Sequence, residues 1–246
     1  MKIIISPAKK MTPDYDSLDY NRLPDLIKDT EILVKYLKGL TYEELKGMWK
    51  CSDKIATINY ERIQEMDIYK NLTPAILAFE GIQYQYMAPG VFETEELEYI
   101  ENHLRILSGF YGIIRPFDGI VPYRLEMGSK LVNYHVKTLY EFWDSKLAHK
   151  LFSESDCIVN LASEEYSKTI SRYLREGIRF VTCVFGEKVE EKVMEKGTLA
   201  KMARGEMVRF MAENKIENVE DIKKFNYLNY AFAEDISDEN TYIFIK

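Results

Sequence analysis

The sequence predicts a single α/β domain in which a mostly parallel sheet is flanked by helices. Three observations support this fold class. Short, nearly continuous apolar segments recur along the 246 residues, which is typical of strands buried on both faces. Segments with helical apolar spacing alternate with them, and this alternation favours a parallel sheet covered on both sides. No stretch rich in proline, glycine and serine divides the chain, so we expect one compact domain over residues 1–246.

Five apolar segments are predicted to form buried strands, because each is short and bounded by polar residues, glycine or proline. They are Lys2–Ser6, Ala75–Phe79, Leu104–Ser108, Cys157–Leu161 and Phe180–Phe185. A last strand is expected at Thr241–Ile245. Ligands of open parallel sheets bind at the carboxyl ends of the strands, so the residues that follow each strand are the first candidates for function.

Helices are predicted between the strands from apolar spacing and from capping signals. Thr41, with Glu44 three residues later, forms a capping-box pattern that starts a helix. The predicted helical segments are Pro24–Leu37, Thr41–Trp49, Ser52–Glu65, a helix-rich Lys130–Leu151, Ser163–Leu174, a charged segment around Lys201–Arg209, and Asn218–Phe225.

The composition favours a soluble protein of the cytoplasm. Hydrophobic residues make up 46% of the chain and charged residues 30%. No segment approaches the roughly 20 apolar residues that span a bilayer, and the apolar start lacks a signal-peptide pattern. The three cysteines, Cys51, Cys157 and Cys183, are far apart and show no C-x-x-C spacing. We therefore expect free thiols in a reducing compartment rather than a disulfide framework.

The net charge argues against nucleic-acid binding through an overall positive field. The chain has 33 lysines and arginines and 40 aspartates and glutamates, a formal charge of -7. Non-specific nucleic-acid binders usually carry a basic domain. Any contact with phosphate must therefore come from a local basic groove.

The turn after the first strand is a candidate anion site. Pro7 fixes the backbone after Ser6, and Lys9 and Lys10 follow it. Two interpretations remain open at this point: a site for phosphate or carboxylate, and an exposed turn that is basic without binding anything.

Residues 108–130, after the third strand, are the densest candidate segment. Its glycines and prolines are typical of a functional loop held in one shape. Arg115 and Arg124 offer bidentate contacts to phosphate. Tyr111 and Tyr123 can stack on a base and hydrogen-bond at the same time. Lys130 precedes the helix-rich segment, and a helix N-terminus favours an anion.

Two later segments add further candidates. Asn160 lies at the end of the fourth strand, where an amide can recognise the edge of a ligand. Ser163 is a natural N-cap, and Glu165 suits the helix dipole. Asn160 and Tyr166 are each open to a structural or a binding role.

The basic side chains of Lys201, Arg204 and Arg209 are spaced almost as on one helix face. Gly205 interrupts this pattern, which indicates a close approach by backbone or ligand. Three basic groups on one side would supply the local groove that the net charge does not.

Several common site motifs are missing from the sequence. Neither a P-loop nor a G-x-G-x-x-G motif is present, and no G-x-S-x-G elbow marks a serine hydrolase. His103, His135 and His149 are isolated, so no metal site is expected. We expect no cofactor.

Five blocks of the sequence, in the same order, resemble the YaaA family of bacterial peroxide stress proteins. The blocks are Ile5–Lys9, Leu107–Pro116, Pro122–Gly128, Asn160–Tyr166 and Ala203–Gly205. They extend over nearly the whole chain, which is a more specific signal than any single motif. The resemblance implies a cytosolic protein that protects cells under hydrogen peroxide, in part by limiting free intracellular iron. It also implies binding of double-stranded DNA through a positively charged cleft and a helix-hairpin-helix element; it implies no protein partner.

The helix-hairpin-helix element would fall on residues 41–64. The usual hairpin has a Gly-x-Gly turn that presents backbone amides to phosphate, whereas this chain has Lys50, Ser52 and Lys54 at that place. An ordinary packed pair of helices is therefore the alternative.

Three functional hypotheses follow. The first is a DNA-binding stress protein, with nucleic-acid phosphate bound by Ser6, Lys9, Ser108, Tyr111, Arg115, Tyr123, Arg124, Lys130, Ser163, Tyr166, Lys201 and Arg204. The second is an enzyme that acts on a nucleotide or on a nucleobase in DNA, with Glu126 or Glu165 as general acid or base and Asn160 recognising the base. The third, direct iron binding, is disfavoured because the histidines are scattered.

Overall fold

Five parallel strands form the centre of the main sheet. The computed structural model describes residues 1–190 and 192–246. Its strands are β1 Lys2–Ile5, β2 Lys10–Met11, β3 Thr73–Pro74, β4 Phe79–Glu80, β5 Leu104–Ser108, β6 Gly112–Ile114, β7 Gly119–Ile120, β8 Cys157–Leu161, β9 Arg179–Val189, β10 Lys192–Met194, β11 Ala231–Phe232 and β12 Thr241–Ile245.

The main sheet has the strand order β11-β12-β9-β8-β1-β5-β6, and β10 pairs with β9. The central strands from β12 to β5 are parallel to one another. The edge strands β6 and β11 and the short β10 are antiparallel to their neighbours. The predicted α/β class with a mostly parallel sheet in a single compact domain is therefore confirmed.

Helices cover the sheet. They are α1 Ile27–Lys38, α2 Tyr42–Trp49, α3 Asp53–Glu65, α4 Ala75–Ala78, α5 Ile82–Met87, α6 Thr94–His103, α7 Leu139–Trp143, α8 Lys146–Phe152, α9 Glu164–Ser171 and α10 Gly197–Glu213, with 3-10 turns at Pro89–Val91, Val219–Lys224, Tyr227–Asn229 and Glu234–Ile236. Thr41 caps α2 through the predicted capping box with Glu44. Across the part of the chain that the structure describes, no helix combines the length and apolarity needed to cross a membrane.

The predicted strand Ala75–Phe79 is wrong. Residues Ala75–Ala78 form the one-turn helix α4, and only Phe79–Glu80 is extended. Pro74 stands at the N-cap of this turn, a position that tolerates its missing N–H. An apolar run of this length does not distinguish a buried strand from a buried helical turn.

The predicted helix-rich segment Lys130–Leu151 is helical only in its second half. Lys130 pairs with Thr138 in an isolated β-bridge, and Asn133 adopts a positive φ of 53° between them. Thr138 then caps α7. Lys130 therefore does not stand at a helix N-terminus, and the helix-dipole argument for an anion at this position is wrong.

The chain reverses direction across the sheet beside β1. From β1 it proceeds to β5 on one side, whereas β8 and β9 lie on the other side. The carboxyl ends of β1 and β8 thus form the topological switch point, the place where open α/β sheets bind ligands. Ile3, Ile4 and Ile5 are fully buried beneath it, so the switch point stands on a rigid core.

Candidate nucleic-acid interface

A cavity of about 450 Å³ opens at the carboxyl ends of β1 and β8; we call it the main cavity. Its walls come from residues 6–10, 80–84 and 123–126, from the start of α9 and from one face of α10. These segments are far apart in the sequence. The fold brings them together because parallel strands end at the same edge of the sheet.

Hydrogen bonds tie the end of β1 to two helices. The Ser163 N–H donates to Ser6 Oγ over 2.9 Å, and the two serine hydroxyls lie 3.2 Å apart. The Tyr84 hydroxyl donates to the Ser6 carbonyl over 2.9 Å. The floor of the main cavity is therefore held by α9 on one side and α5 on the other.

One carboxylate orients two cations in the main cavity. Glu126 Oε2 lies 2.8 Å from Lys9 Nζ, and Glu126 Oε1 lies 3.2 Å from Arg124 Nη2. The Lys9 side chain is 67% exposed and the Arg124 side chain only 12%. Lys9 thus marks the rim, and Arg124 is a fixed guanidinium inside.

The close packing of α10 on α5 places two more cations at the cavity. A Cβ on Gly205 would lie 2.2 Å from the carbonyl oxygen of Gln83, so only glycine permits this approach. The close approach predicted from Gly205 is therefore made by backbone. Lys201 and Arg204 precede it on the helix and line the cavity.

Buried hydrogen-bond donors without partners surround the main cavity. Within the described residues, Gln83 Nε2, Arg124 Nε and Arg204 Nε are shielded from solvent and have no acceptor. All three belong to residues that line the cavity. An unsatisfied buried donor costs about 1–3 kcal/mol. Each of these atoms is a donor, so a ligand rich in acceptors, such as phosphate or a nucleobase, would satisfy them if it drew these side chains toward the cavity.

Aromatic side chains form the apolar wall of the main cavity. Tyr84, Tyr123 and Tyr166 are all buried. Burial raises the pKa of each hydroxyl well above its ordinary value, so the three tyrosines stay neutral at physiological pH. The cavity therefore combines a cationic part with a neutral aromatic part.

The main cavity is locally basic in an acidic protein. Five cations face three carboxylates there, a local excess of two positive charges, whereas the whole chain carries -7. The charged residues that line it are Lys9, Lys10, Glu80, Arg124, Glu126, Glu165, Lys201 and Arg204. This arrangement is the local groove that the composition requires of a phosphate-binding protein.

A second cavity, of about 550 Å³, adjoins the main one. Lys9, Glu126 and Glu165 line both. Its remaining walls are residues 128–130, Val132, the acidic pair Glu43 and Glu44 in the first turn of α2, and residues 47–50 at the C-terminal end of that helix. The cap residue Lys50 has a left-handed conformation with φ 47°. The two cavities form a groove from the switch point to the α2–α3 pair.

Glu165 is fixed between the two cavities. The Gly128 N–H donates to Glu165 Oε1 over 2.7 Å, and the Tyr140 hydroxyl donates to the Glu165 carbonyl over 2.8 Å. Glu165 and Glu126 are thus two carboxylates that line the main cavity and have defined partners.

The structure brings most of the sequence-predicted residues together. Those that line the main cavity are Ser6, Lys9, Tyr123, Arg124, Glu126, Ser163, Glu165, Tyr166, Lys201 and Arg204. Lys130 lines the second cavity. Ser108, Tyr111, Arg115 and Asn160 line neither cavity.

Ser108 and Tyr111 support the cavity from behind. The Ser108 hydroxyl accepts the N–H groups of Phe110 and Tyr111 over 3.1 and 2.9 Å, and it hydrogen-bonds Tyr123 over 2.6 Å. The Tyr111 hydroxyl accepts the Val121 N–H over 3.1 Å. Both side chains are completely buried, so in this structure they shape the loop and reach no ligand.

Arg115 lies at the other edge of the sheet. It follows β6, which is antiparallel to β5, so the chain has returned to the amino ends of the parallel strands. There Arg115 pairs with Asp25 over 3.0 Å and Glu154 over 3.9 Å. The sequence analysis does not predict the antiparallel turn between β5 and β6. It therefore places Arg115 and Arg124 in the same site, although they lie at opposite edges of the sheet.

Asn160 holds the loop that follows β8. Its Oδ1 accepts the Ala162 N–H over 3.0 Å, and its Nδ2 donates to Thr182 Oγ1 over 3.3 Å. Both ends of the amide are occupied, so Asn160 positions Ser163 rather than facing the cavity.

Sequence reasoning missed the wall formed by residues 80–84. Gln83 and Tyr84 belong to α5, a six-residue helix that was not predicted. The misassigned strand Ala75–Phe79 ends just before this segment. The same rule that selected residues after each strand would therefore have pointed to Glu80 and Gln83.

In the described part of the chain, neither the cysteines nor the potential metal ligands form a further reactive or metal-binding site. No group of three or more His, Cys, Asp or Glu there is arranged to hold a metal ion. Burial raises the pKa of the Cys183 thiol to about 12 and also raises that of Cys157. Neither is a reactive thiolate at neutral pH.

Comparisons with known proteins agree with the five sequence blocks. Residues 1–236 match the family described as "Peroxide stress protein YaaA". A UPF0246 protein of Lachnoclostridium phytofermentans is 56% identical over 246 residues, which is all of this chain and 96% of that protein. UPF0246 proteins of Desulfitobacterium hafniense and Pediococcus pentosaceus are 54% and 52% identical, each over all of this chain and 98% of the relative.

Proposed function

The chain belongs to the family of the peroxide stress protein YaaA, and from that premise we propose that it is a cytoplasmic stress protein that binds double-stranded DNA. The DNA would bind in the groove formed by the main cavity and the second cavity, which we call the strand-end groove. In this proposal the bound protein protects DNA under hydrogen peroxide and contributes to limiting free intracellular iron. The convergence of cations and unpartnered donors in one cavity is the observation that carries the DNA-binding part.

The cations of the main cavity suit phosphate at two depths. Lys9 and Lys10 are 67% and 71% exposed, so their flexible ammonium groups can reach a phosphate outside the cavity. Arg124 and Arg204 are held inside by Glu126 and Glu195 over 3.2 and 3.3 Å. A fixed guanidinium can make the paired hydrogen bonds to phosphate that a lysine cannot.

The α2–α3 pair would extend this surface along the DNA backbone. Lys50 lines the second cavity, and Ser52 and Lys54 are exposed at the start of α3. Under this proposal the pair acts as a helix-hairpin-helix that uses side chains in place of glycine amides. The groove would then contact phosphates from the switch point to Lys54.

A second candidate function is catalysis on a nucleotide or on a nucleobase in DNA. It is favoured by one observation: Glu126 and Glu165 line the same cavity as Arg124. Such carboxylates can serve as general acid and base. Oxidised duplex DNA incubated with the protein would release a small molecule that mass spectrometry detects, and Glu126→Gln or Glu165→Gln would abolish the release. An unchanged duplex would exclude catalysis on a nucleobase in DNA.

The salt dependence of binding tests the DNA-binding proposal. Fluorescence anisotropy of a labelled duplex gives Kd at salt concentrations from low to physiological. Each neutralised phosphate contributes about -0.9 to the slope of log K against log salt. With three to five cavity cations engaged, we expect a slope between about -2.7 and about -4.5. An affinity that barely changes with salt would contradict the proposal.

A further inference from the structure

We propose that the main cavity receives one nucleotide extruded from the duplex, with its base inside and its phosphate at the rim. This inference rests on the proposed DNA binding and deepens it, because it names the part of the DNA that enters the protein.

The cavity has the size of a small-ligand site. Its volume of about 450 Å³ lies within the range of roughly 300–1,000 Å³ that is typical of small-molecule pockets. A base within the stack offers only its edges to a protein. An extruded base can instead occupy such a pocket with both faces.

The inner wall of the cavity matches a base more closely than a free phosphate. Tyr84, Tyr123 and Tyr166 are buried and neutral, and Ile82 and Leu125 also line the cavity. An isolated anion gains nothing from aromatic and aliphatic surfaces. A nucleobase gains stacking and apolar contact from them.

Gln83 supplies a donor for the base. The residue is 8% exposed, it lines the cavity, and its Nε2 has no acceptor among the described residues. Keto oxygens and ring nitrogens of bases are acceptors. Nε2 is shielded from solvent in the free protein, so a base acceptor would pair with it once the Gln83 side chain turns toward the cavity, and would satisfy a donor that the free protein leaves unsatisfied.

The charged groups are arranged for the phosphate of the same nucleotide. Lys9 and Lys201 are exposed, whereas the guanidinium groups of Arg124 and Arg204 lie deeper at 12% and 15% exposure. The lysines at the rim suit the phosphate of a nucleotide, and the buried uncharged amide of Gln83 suits its base. A groove that bound only the phosphates of the DNA backbone would not need the buried side-chain amide of Gln83.

The test uses a duplex that carries 2-aminopurine opposite a mismatched base, since a mismatched base is extruded at the lowest cost. 2-Aminopurine fluorescence rises when the base leaves the stack. We expect a several-fold rise with the wild-type protein at saturating concentration. With Gln83→Leu the rise should fall to half or less, while duplex binding keeps its salt dependence.

Gln85→Leu is the matched control. Gln85 is on the same helix, is exposed and does not line the cavity, so this variant should give the wild-type fluorescence. A second readout guards against misfolding. Because Gln83 Nε2 has no partner, Gln83→Leu should not lower the Tm of the free protein, and a deoxynucleoside monophosphate should raise the Tm of the wild type more than that of the variant.

The outcomes separate this inference from the proposed function. Steep salt-dependent binding with 2-aminopurine fluorescence at the level of the free duplex overturns extrusion and leaves DNA binding in place. Equal fluorescence and equal Tm shifts for wild type and Gln83→Leu also overturn it. Absence of any duplex binding overturns both.

Discussion

At the scale of single residues, the main cavity contains arginines that carboxylates hold in place in the free protein. Arg124 and Arg204 each have one carboxylate partner and one buried Nε without an acceptor. Lys201 has no carboxylate within 4.0 Å in the described chain. Lys201 is thus the cavity cation whose removal disturbs the folded protein least, and it offers the cleanest test of the proposed phosphate contact.

Lys201→Ala should weaken duplex binding several-fold at low salt and reduce the salt slope by about 0.9, because one phosphate contact is lost. Arg209→Ala is the matched control: Arg209 lies on the same helix, pairs with Glu213 over 2.7 Å and does not line the main cavity. Anisotropy titrations compare the two variants. Equal losses of affinity would indicate general electrostatics and contradict a defined site.

The buried carboxyl group of Asp118 lowers the free energy of unfolding by an amount that depends on pH. It is 1% exposed, its Oδ1 has no partner among the described residues, and burial raises its pKa to about 7. Since the unfolded pKa is near 3.8, the unfolded state ionises first. Folding stability therefore falls as the pH rises from about 4 to 7 and stays low above 7.

Asp118→Asn should remove the cost of ionising a buried carboxyl group. It should also keep the hydrogen bond that Asp118 Oδ2 accepts from the Arg115 N–H over 2.9 Å. Urea unfolding at pH 5 and pH 8 measures the effect. The gain in the free energy of unfolding should be larger at pH 8 by roughly 2–3 kcal/mol. Parallel pH profiles for wild type and variant would show that Asp118 does not titrate in this window.

At the scale of elements, the contact between α5 and α10 determines whether the cavity exists. Gly205 allows the backbones of these helices to meet, and Gln83 and Arg204, one from each helix, both line the main cavity. The sequence indicated the close approach at Gly205 but not its partner. A six-residue helix such as α5 contains too few turns for apolar periodicity to reveal it.

Gly205→Ala should destabilise the protein by about 1–3 kcal/mol, the usual cost of overpacking, and should weaken duplex binding as α5 shifts. Gly47→Ala is the comparison. Gly47 lies inside α2, and a Cβ there meets no atom within 4 Å, so alanine should stabilise by about 0.5–1 kcal/mol. Thermal unfolding distinguishes them, and a neutral Gly205→Ala would contradict the packing described for α10.

The sequence predicted elements where the local signal was strong. The strands β5, β8 and β12 begin and end where the apolar runs do, because a strand buried on both faces is apolar throughout. The capping box at Thr41 also located α2. Ala75–Ala78 and residues 130–138 were misassigned, since short apolar runs and polar loops carry no decisive periodicity.

At the scale of the whole molecule, topology converts scattered residues into a site. The rule that ligands bind at the carboxyl ends of parallel strands predicted Ser6 and Ser163, which the structure joins at the switch point. The same rule failed for Arg115, because one antiparallel strand reversed the direction of the chain. Sequence reasoning therefore predicted much of the lining of the main cavity but not all of it.

The central claim is that DNA binds at the strand-end groove. Hydrogen–deuterium exchange with mass spectrometry, with and without a duplex oligonucleotide, tests it directly, and Arg115 provides a basic reference on the opposite edge. We expect DNA to slow exchange in peptides that cover residues 6–10, 124–130 and 197–205 and to leave residues 113–118 unchanged. Slower exchange confined to residues 113–118, with the groove peptides unaffected, would contradict the account.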